Sequence, residues 1–404
     1  MTAAHTRRRL HGALVLGVSL GSTGYIAAIT IATIVAKQLS GGSNFAGLPG
    51  ATIVLGSAAA SQLLSRFMVL RGRRAGLVLG YGIGAGGALL AGAAVVISSF
   101  PLFIAATAAM GFANAANQLS RYTAADMYPE SGRASAIGLV VWGSTLGSVV
   151  GPNLVTLSGN IAEGFNLPRL AGVYGVPILF VAAAALLTLV TLRPDPATLA
   201  PSRARSTRRA SASLSQMLAQ PRILAAVVAL IIGQVVMVLV MTMTPLHMTE
   251  HGHGLDAVGF VISGHTFGMF AFSPISGRLA GRYGAPSIIA LGLALSAFAS
   301  VLAAVAPPDG GVLLFVALFL LGVGWNFGFV AGSALLTEGL SGAERTTLQG
   351  ATDAMIWSSA AAAALSSGIV VSAASYTALG ILGAALIALP VAAMVRGRAD
   401  LGRP

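Results

Sequence analysis

Four of the six histidines and five of the 12 methionines in this sequence fall between Met237 and Met269. Two spacings there put donor atoms on one helix face, a single turn apart. They are M-x-x-x-M at Met237 and Met241, and H-x-x-x-M at His265 and Met269. Thioether sulfur is a soft, neutral ligand that prefers Cu(I) to zinc, iron or magnesium, and imidazole binds copper well. A Met/His site holds copper without a thiolate, and the chain has no cysteine to supply one. Such a site can release its metal, which suits a transporter. Between the pairs lie Met243, His247, Met248, His251 and His253, beside Glu250 and Asp256. They form a candidate entry path that collects metal and passes it inward, which makes import more natural than export. Bland roles compete: a lone methionine on an apolar helix commonly packs, and His251 and His253 sit in a glycine-flanked loop where water satisfies them.

The elements that must position these residues follow from composition. The chain has 404 residues, 56% hydrophobic and only 8% charged, against about 25% charged in a soluble globular protein. Mean hydropathy is +0.85. A soluble fold would lack polar cover, and disorder requires the opposite composition. The absence of cysteine excludes a disulfide scaffold. The fold class expected is therefore an all-α integral membrane protein. Twelve stretches are long and apolar enough to span a bilayer, near 12–36, 45–65, 75–98, 101–125, 134–158, 170–192, 223–248, 256–277, 285–306, 312–337, 346–372 and 375–395. The first follows Arg7, Arg8 and Arg9 but is too long for a signal-peptide core, so it is expected to be retained. The two motifs occupy spans seven and eight. At 1.5 Å per residue, Met237 and His265 fall near the midplane.

Charge sets the expected orientation. The formal net charge is +12, and Lys37 is the one lysine among 23 basic residues. With both termini cytoplasmic, 21 of these fall in inside segments and only Lys37 and Arg169 outside, as the positive-inside rule requires. Nucleic-acid binding is not expected, because the arginines sit in short loops rather than on one folded surface. The stretch 193–222, rich in Pro, Ser and Arg, reads as a flexible cytoplasmic linker between halves at 1–192 and 223–404.

The halves repeat. At an offset of 212, Asn114 falls on Asn326, Asp126 on Glu338, Arg133 on Arg345 and Gly138 on Gly350; at 216, SQLLSRF (61–67) falls on GRLAGRY (277–283). Parallel repeats of this kind build two-half transporters, with substrate sites near the midplane. No catalytic constellation and no phosphate-binding P-loop is seen, so no enzyme activity or cofactor is expected. The glycine-rich GYGIGAGGALLAG lies within a span, where small residues serve close helix packing.

Taken together, the chain resembles the major facilitator superfamily. Its loop between the second and third helices usually reads G-x-x-x-D-R-x-G-R-R. Here Gly277, Arg282 and Gly284 keep that frame with Gly281 in the acidic slot, while Ser61, Ser65 and Arg66 precede an insertion before Gly72, Arg73 and Arg74. Both halves lack the aspartate, which puts the loop's usual charge relay in question. The M-x-x-x-M and H-x-x-x-M motifs in these two helices further resemble the CcoA-like copper transporters (the CalT family). That resemblance implies a bacterial inner-membrane copper importer supplying cbb3-type cytochrome oxidase assembly, with Met237, Met241, His265 and Met269 as metal ligands. The copper ion and the lipid bilayer are the expected partners of a monomer, and cytoplasmic copper chaperones are candidate acceptors.

Other polar residues within spans are costly and therefore informative. Asp353 and Asp126 are candidates for proton coupling; the alternative for Asp353 is a helix-end acid paired with Arg345 or facing the cytoplasm. Tyr25, Asn114, Asn117, Gln118, Asn153 and Asn326 either line a cavity or bond neighbouring helices. Span five carries Gly138, Gly147, Gly151 and Pro152 in the spacing of a drug/proton antiporter motif, with Val155 and Thr156 in place of its closing glycines. The competing function is thus a proton-coupled exporter of small organic molecules. A copper sensor or assembly partner lacks support.

Overall fold

The computed structural model describes residues 3–41, 45, 47–199, 212–253, 255–307, 311–338 and 340–401. The middle of the expected linker, with Arg203, Arg205, Arg208 and Arg209, lies outside them, as does Arg403. Among the described residues the regular structure is helical throughout. The elements are α1 (Ala3–Ser40), α2 (Leu48–Arg71), α3 (Arg73–Val96), α4 (Phe100–Asp126), α5 (Glu130–Gly164), α6 (Arg169–Val173), α7 (Gly175–Thr191), a 3-10 turn (Pro196–Leu199) and α8 (Leu214–Leu218). They continue as α9 (Pro221–Glu250), α10 (Leu255–Ala271), α11 (Ser273–Tyr283), α12 (Ala285–Val305), α13 (Gly311–Leu335), α14 (Gly342–Ala373), α15 (Tyr376–Leu386) and α16 (Ala388–Leu401). Every expected span has its helix; the sixth, eighth and twelfth are each drawn as a pair, interrupted at Tyr174, Phe272 and Ile387.

Among the described residues ten segments are long and apolar enough to cross a membrane by length and composition alone. The two spans missing from that set are α4 and the α10–α11 pair. The first carries Asn114, Asn117, Gln118 and Arg121, a polar burden that marks a helix working inside a bundle rather than against lipid.

Two turns show the repeat in the backbone. Gly72 ends α2 with φ +89° and Gly284 ends α11 with φ +85°. They stand 212 positions apart, the offset already seen in the sequence. A left-handed φ with extended ψ is open to glycine and strained for other residues.

The chain forms two compact units. Unit 1 holds residues 1–129, 143–204 and 341–358; unit 2 holds 130–142, 205–340 and 359–404. The sequence halves therefore exchange short pieces: the start of α5 belongs to unit 2 and the start of α14 to unit 1.

In unit 1, α4 packs on α2 and α3, and α7 on α1 and α3. Small residues let backbones touch. A Cβ on Gly84 would lie 2.8 Å from the Ala113 amide nitrogen, and one on Gly87 the same distance from that of Met110, whereas Gly82 and Gly86 face open space. The glycine-rich string is thus a packing stripe at helical spacing. Gly147 and Gly151 of α5 press on α1 in the same way, at Ser22 and Thr23. The antiporter-like spacing is here a row of helix contacts.

In unit 2, α13 is the central strut, packing on α9, α10 and α12. Asn326 of α13 is fully buried. Its Nδ2 donates to the Met269 carbonyl at 2.6 Å and to Ser273 Oγ at 2.5 Å, and its Oδ1 accepts from Ser276 Oγ at 2.8 Å. Its repeat partner Asn114 donates to Ser57 Oγ at 3.1 Å within unit 1. Both asparagines tie helices together. Interhelical bonds in membranes are worth about 0.6 kcal/mol each on average, so Asn326→Ala is expected to cost about 1–2 kcal/mol, read as a lower melting temperature of the purified protein.

Candidate functional site

His265 sits on α10 where that helix meets α13. It is fully buried. One ring nitrogen, Nδ1, lies 2.7 Å from the Leu318 carbonyl oxygen. A carbonyl only accepts, so Nδ1 carries the proton and donates. The neutral ring then presents a lone pair on Nε2, which is buried without a hydrogen-bond partner. A donor-fixed tautomer of this kind is how metal-ligating histidines are usually held. One turn on, Met269 is half-buried. Its backbone is braced by Asn326, and a Cβ on Gly322 would stand 3.0 Å from its amide nitrogen.

Met237 is buried on α9, and Met241 and Met243 are half-buried. This helix packs on α13, α15 and α16, while α10 packs on α13. The two motif helices thus share α13 as a neighbour. One residue that joins them is Trp325, which sequence reasoning passed over. Its Nε1 donates to Gln234 Oε1 of α9 at 2.8 Å, and its ring meets Phe270 of α10 edge-on at 6.0 Å. The available signal was a lone glutamine in an apolar span, since such a group needs a partner.

At the far end of α9, beyond Pro245, His247 stacks on Tyr376 with ring centroids 4.2 Å apart. Tyr376 OH bonds Thr244 Oγ1 at 2.8 Å. His251 is exposed, 4.4 Å ring to ring from His247, with Nδ1 at 2.7 Å from the His247 carbonyl. Met248 is buried and His253 half-buried. Among the described residues, no three of His, Asp and Glu gather as a metal-holding group.

Among the described residues of unit 1, two buried ion-pair systems stand out. Arg121 donates to Asp353 Oδ1 at 2.6 Å, with both side chains 1% exposed. Arg121 also donates to the carbonyl and side-chain oxygens of Gln118 and to Tyr122 OH, and its guanidinium covers the Tyr122 ring at 4.2 Å. Asp353 Oδ2 is buried without a hydrogen-bond partner. The partner of Asp353 is therefore Arg121, not Arg345, and it does not face water. Asp126 bridges two arginines: Arg73 Nε at 2.8 Å and Arg345 at 2.8 Å. Four arginines counted as topology signals (Arg73, Arg121, Arg133, Arg345) are in fact buried.

The repeat is visible in these pairings. Asp126 meets Arg345 in unit 1. Its counterpart Glu338 feels Arg133 in unit 2 and pairs with Arg222. Burial lifts the Glu338 carboxyl above its ordinary value, and Arg222 opposes that rise. Of the remaining polar candidates, Asn117 Oδ1 accepts from Tyr81 OH at 2.9 Å, Asn153 is exposed and bonded to the Val149 carbonyl, and Tyr25 is half-buried.

Comparison with known proteins follows the same lines. The family model described as Major Facilitator Superfamily matches residues 13–258 and 240–400. The chain is similar to the uncharacterized MFS-type transporter YddS of Bacillus subtilis, 38% identical over 94% of this chain and 88% of that protein. It is also similar to the riboflavin transporter RfnT of Brucella anthropi, 31% identical over 91% and 90%. Among solved structures, the human organic anion transporter MFSD10 superposes with a TM-score of 0.77 at 15% identity, covering 96% of this chain and 99% of that one. The transporter FucP in its outward conformation gives 0.76 at 17% identity, covering 96% and 98%. None of these names carries copper, so a copper assignment rests on the residues alone. The match along nearly the whole sequence, and the repeat it contains, settle the kinship: this chain belongs to the major facilitator superfamily, a multi-pass membrane transporter family.

Proposed function

We propose that this transporter imports copper across the bacterial inner membrane by alternating access, both termini cytoplasmic, for cbb3-type oxidase assembly. The observation that carries the reading is His265. A fully buried imidazole with Nδ1 held by a carbonyl and Nε2 left open is prepared for a metal. Met269 on the same helix, with Met237 and Met241 on α9, supplies the soft donors that favour Cu(I). His247, Met248, His251, His253 and Met243 form the entry path. Asp353, which keeps one carboxylate oxygen open, is the proposed proton carrier; Asp126, tied to two arginines, acts as a clasp.

A second reading is a transporter of organic solutes, proton-coupled and of either direction. It is favoured by the near full-length similarity to a protein named a riboflavin transporter. One experiment separates the two. Cells with and without the chain are given radioactive copper and, separately, labelled riboflavin. Copper import predicts copper uptake that falls about 10- to 100-fold in His265→Ala, with the protein still in the membrane. Riboflavin uptake without copper uptake, or an unchanged His265→Ala, would sink the copper reading.

A further inference from the structure

Unit 1 contains a cavity of about 280 Å³ with no part in the cargo reading. It opens among the end of α2, the start of α3, the end of α4, the 3-10 turn and the start of α14. Two arginines in its wall, Arg73 and Arg345, are 2% and 6% exposed. They share one carboxylate, Asp126. The wall therefore carries two buried positive charges against one negative.

The two guanidiniums are not equally satisfied. Arg73 places Nε on Asp126 and another nitrogen on Gln349 Oε1 at 2.7 Å. Arg345 reaches Asp126 through one terminal nitrogen only, and its Nε is buried with no hydrogen-bond partner. A buried donor on a cation left unmade is costly. The rim already shows an anion in use: the Asp195 carboxylate accepts from the backbone amides of Arg73 and Arg74 at 3.3 and 2.9 Å, capping α3.

We propose that this cavity binds a phosphate-type anion, free or as a lipid headgroup. Guanidinium presents parallel donors that match phosphate oxygens. The volume holds a phosphate together with a glycerol-sized substituent. The start of α14 also lines the cavity through Gly342 and Ala343, and a helix N-terminus adds favourable dipole. The bound anion would compete with Asp126 for the Arg345 guanidinium, which Asp126 engages through one terminal nitrogen only. The inference is independent of what the transporter carries.

The test uses the full chain in nanodiscs of neutral phosphatidylcholine. Its melting temperature is measured as inorganic phosphate replaces chloride at constant ionic strength. The expected result is a saturable rise of about 2–4 °C, lost in Arg345→Gln and partly kept in Arg345→Lys. Should Arg345→Gln fail to fold, Ala343→Trp fills the cavity from an exposed position and must also abolish the rise. In a second arm, phosphatidylglycerol replaces part of the neutral lipid without free phosphate. A rise there alone assigns the site to a headgroup; a rise with phosphate assigns it to the free ion. No rise in either arm, or a rise that survives both Arg345→Gln and Ala343→Trp, overturns the proposal.

Discussion

Asp353→Ala will destabilise the protein by about 3–5 kcal/mol, among the largest effects of any single change in unit 1. Both side chains of the Arg121–Asp353 pair are 1% exposed. Removing the carboxylate leaves a guanidinium buried beside Tyr122 and Gln118 with its charge uncompensated. The pair itself is not the source of the effect, since desolvating two charges costs about as much as their attraction returns. The double variant Asp353→Leu with Arg121→Met should therefore melt well above the single Asp353→Ala. Asp353→Asn keeps the shape and part of the hydrogen bonding, so it should fall between the alanine variant and the parent. Melting in detergent with a lipid additive reads all four. A single variant that melts with the parent would mean that Asp353 is not ionised in the folded protein. Uptake supplies the functional half: Asp353→Asn should stay in the membrane yet lose proton-driven transport if Asp353 carries the proton.

The partner of Asp353 was not legible in the sequence, and the reason is physical. A span pattern records which residues avoid lipid. It does not record which residue 232 positions away they face. Arg121 was readable as a loop charge because it lies near the end of α4, and only the packing of α4 makes it an interior group. The twelve spans, by contrast, were legible because each needs only a local run of apolar residues. The repeat was legible because Gly72 and Gly284, Asn114 and Asn326 meet the same backbone and packing demands twice. What the repeat did not reveal is that the starts of α5 and α14 group with the opposite sequence halves, so that Gly138 packs at Ser273 and Gly277, and Gly350 at Ser61 and Ser65. The chemical types of His265 and Met269 were legible from spacing. The Leu318 carbonyl that fixes the imidazole was not, because a backbone acceptor has no signature in sequence.

That carbonyl is close only because α10 and α13 meet backbone to backbone, and this makes Gly322→Leu the second large effect. A Cβ at Gly322 would fall against the His265 carbonyl, with the Met269 nitrogen at 3.0 Å and the Gly268 carbonyl carbon at 3.3 Å. From the other side, a Cβ at Gly268 would stand 2.6 Å from the Phe319 oxygen. Neither helix backbone can yield a few tenths of an ångström as a flexible side chain would. Overpacking alone costs about 1–3 kcal/mol. Here the helices must also part, which stretches the His265–Leu318 bond of 2.7 Å and the Asn326–Met269 bond of 2.6 Å. A total of about 3 kcal/mol or more is expected. Gly328→Ala on the same helix is the control, since its Cβ meets nothing within 4 Å. It should be neutral, or gain up to about 1 kcal/mol from helix propensity. If Gly322→Leu and Gly328→Ala melt alike, the close approach of α10 and α13 is wrong. The same pair of variants reports on the site, because an imidazole that loses its carbonyl loses the fixed tautomer that leaves Nε2 open. Transport should therefore fall in Gly322→Leu by more than the loss of folded protein explains, and remain unchanged in Gly328→Ala.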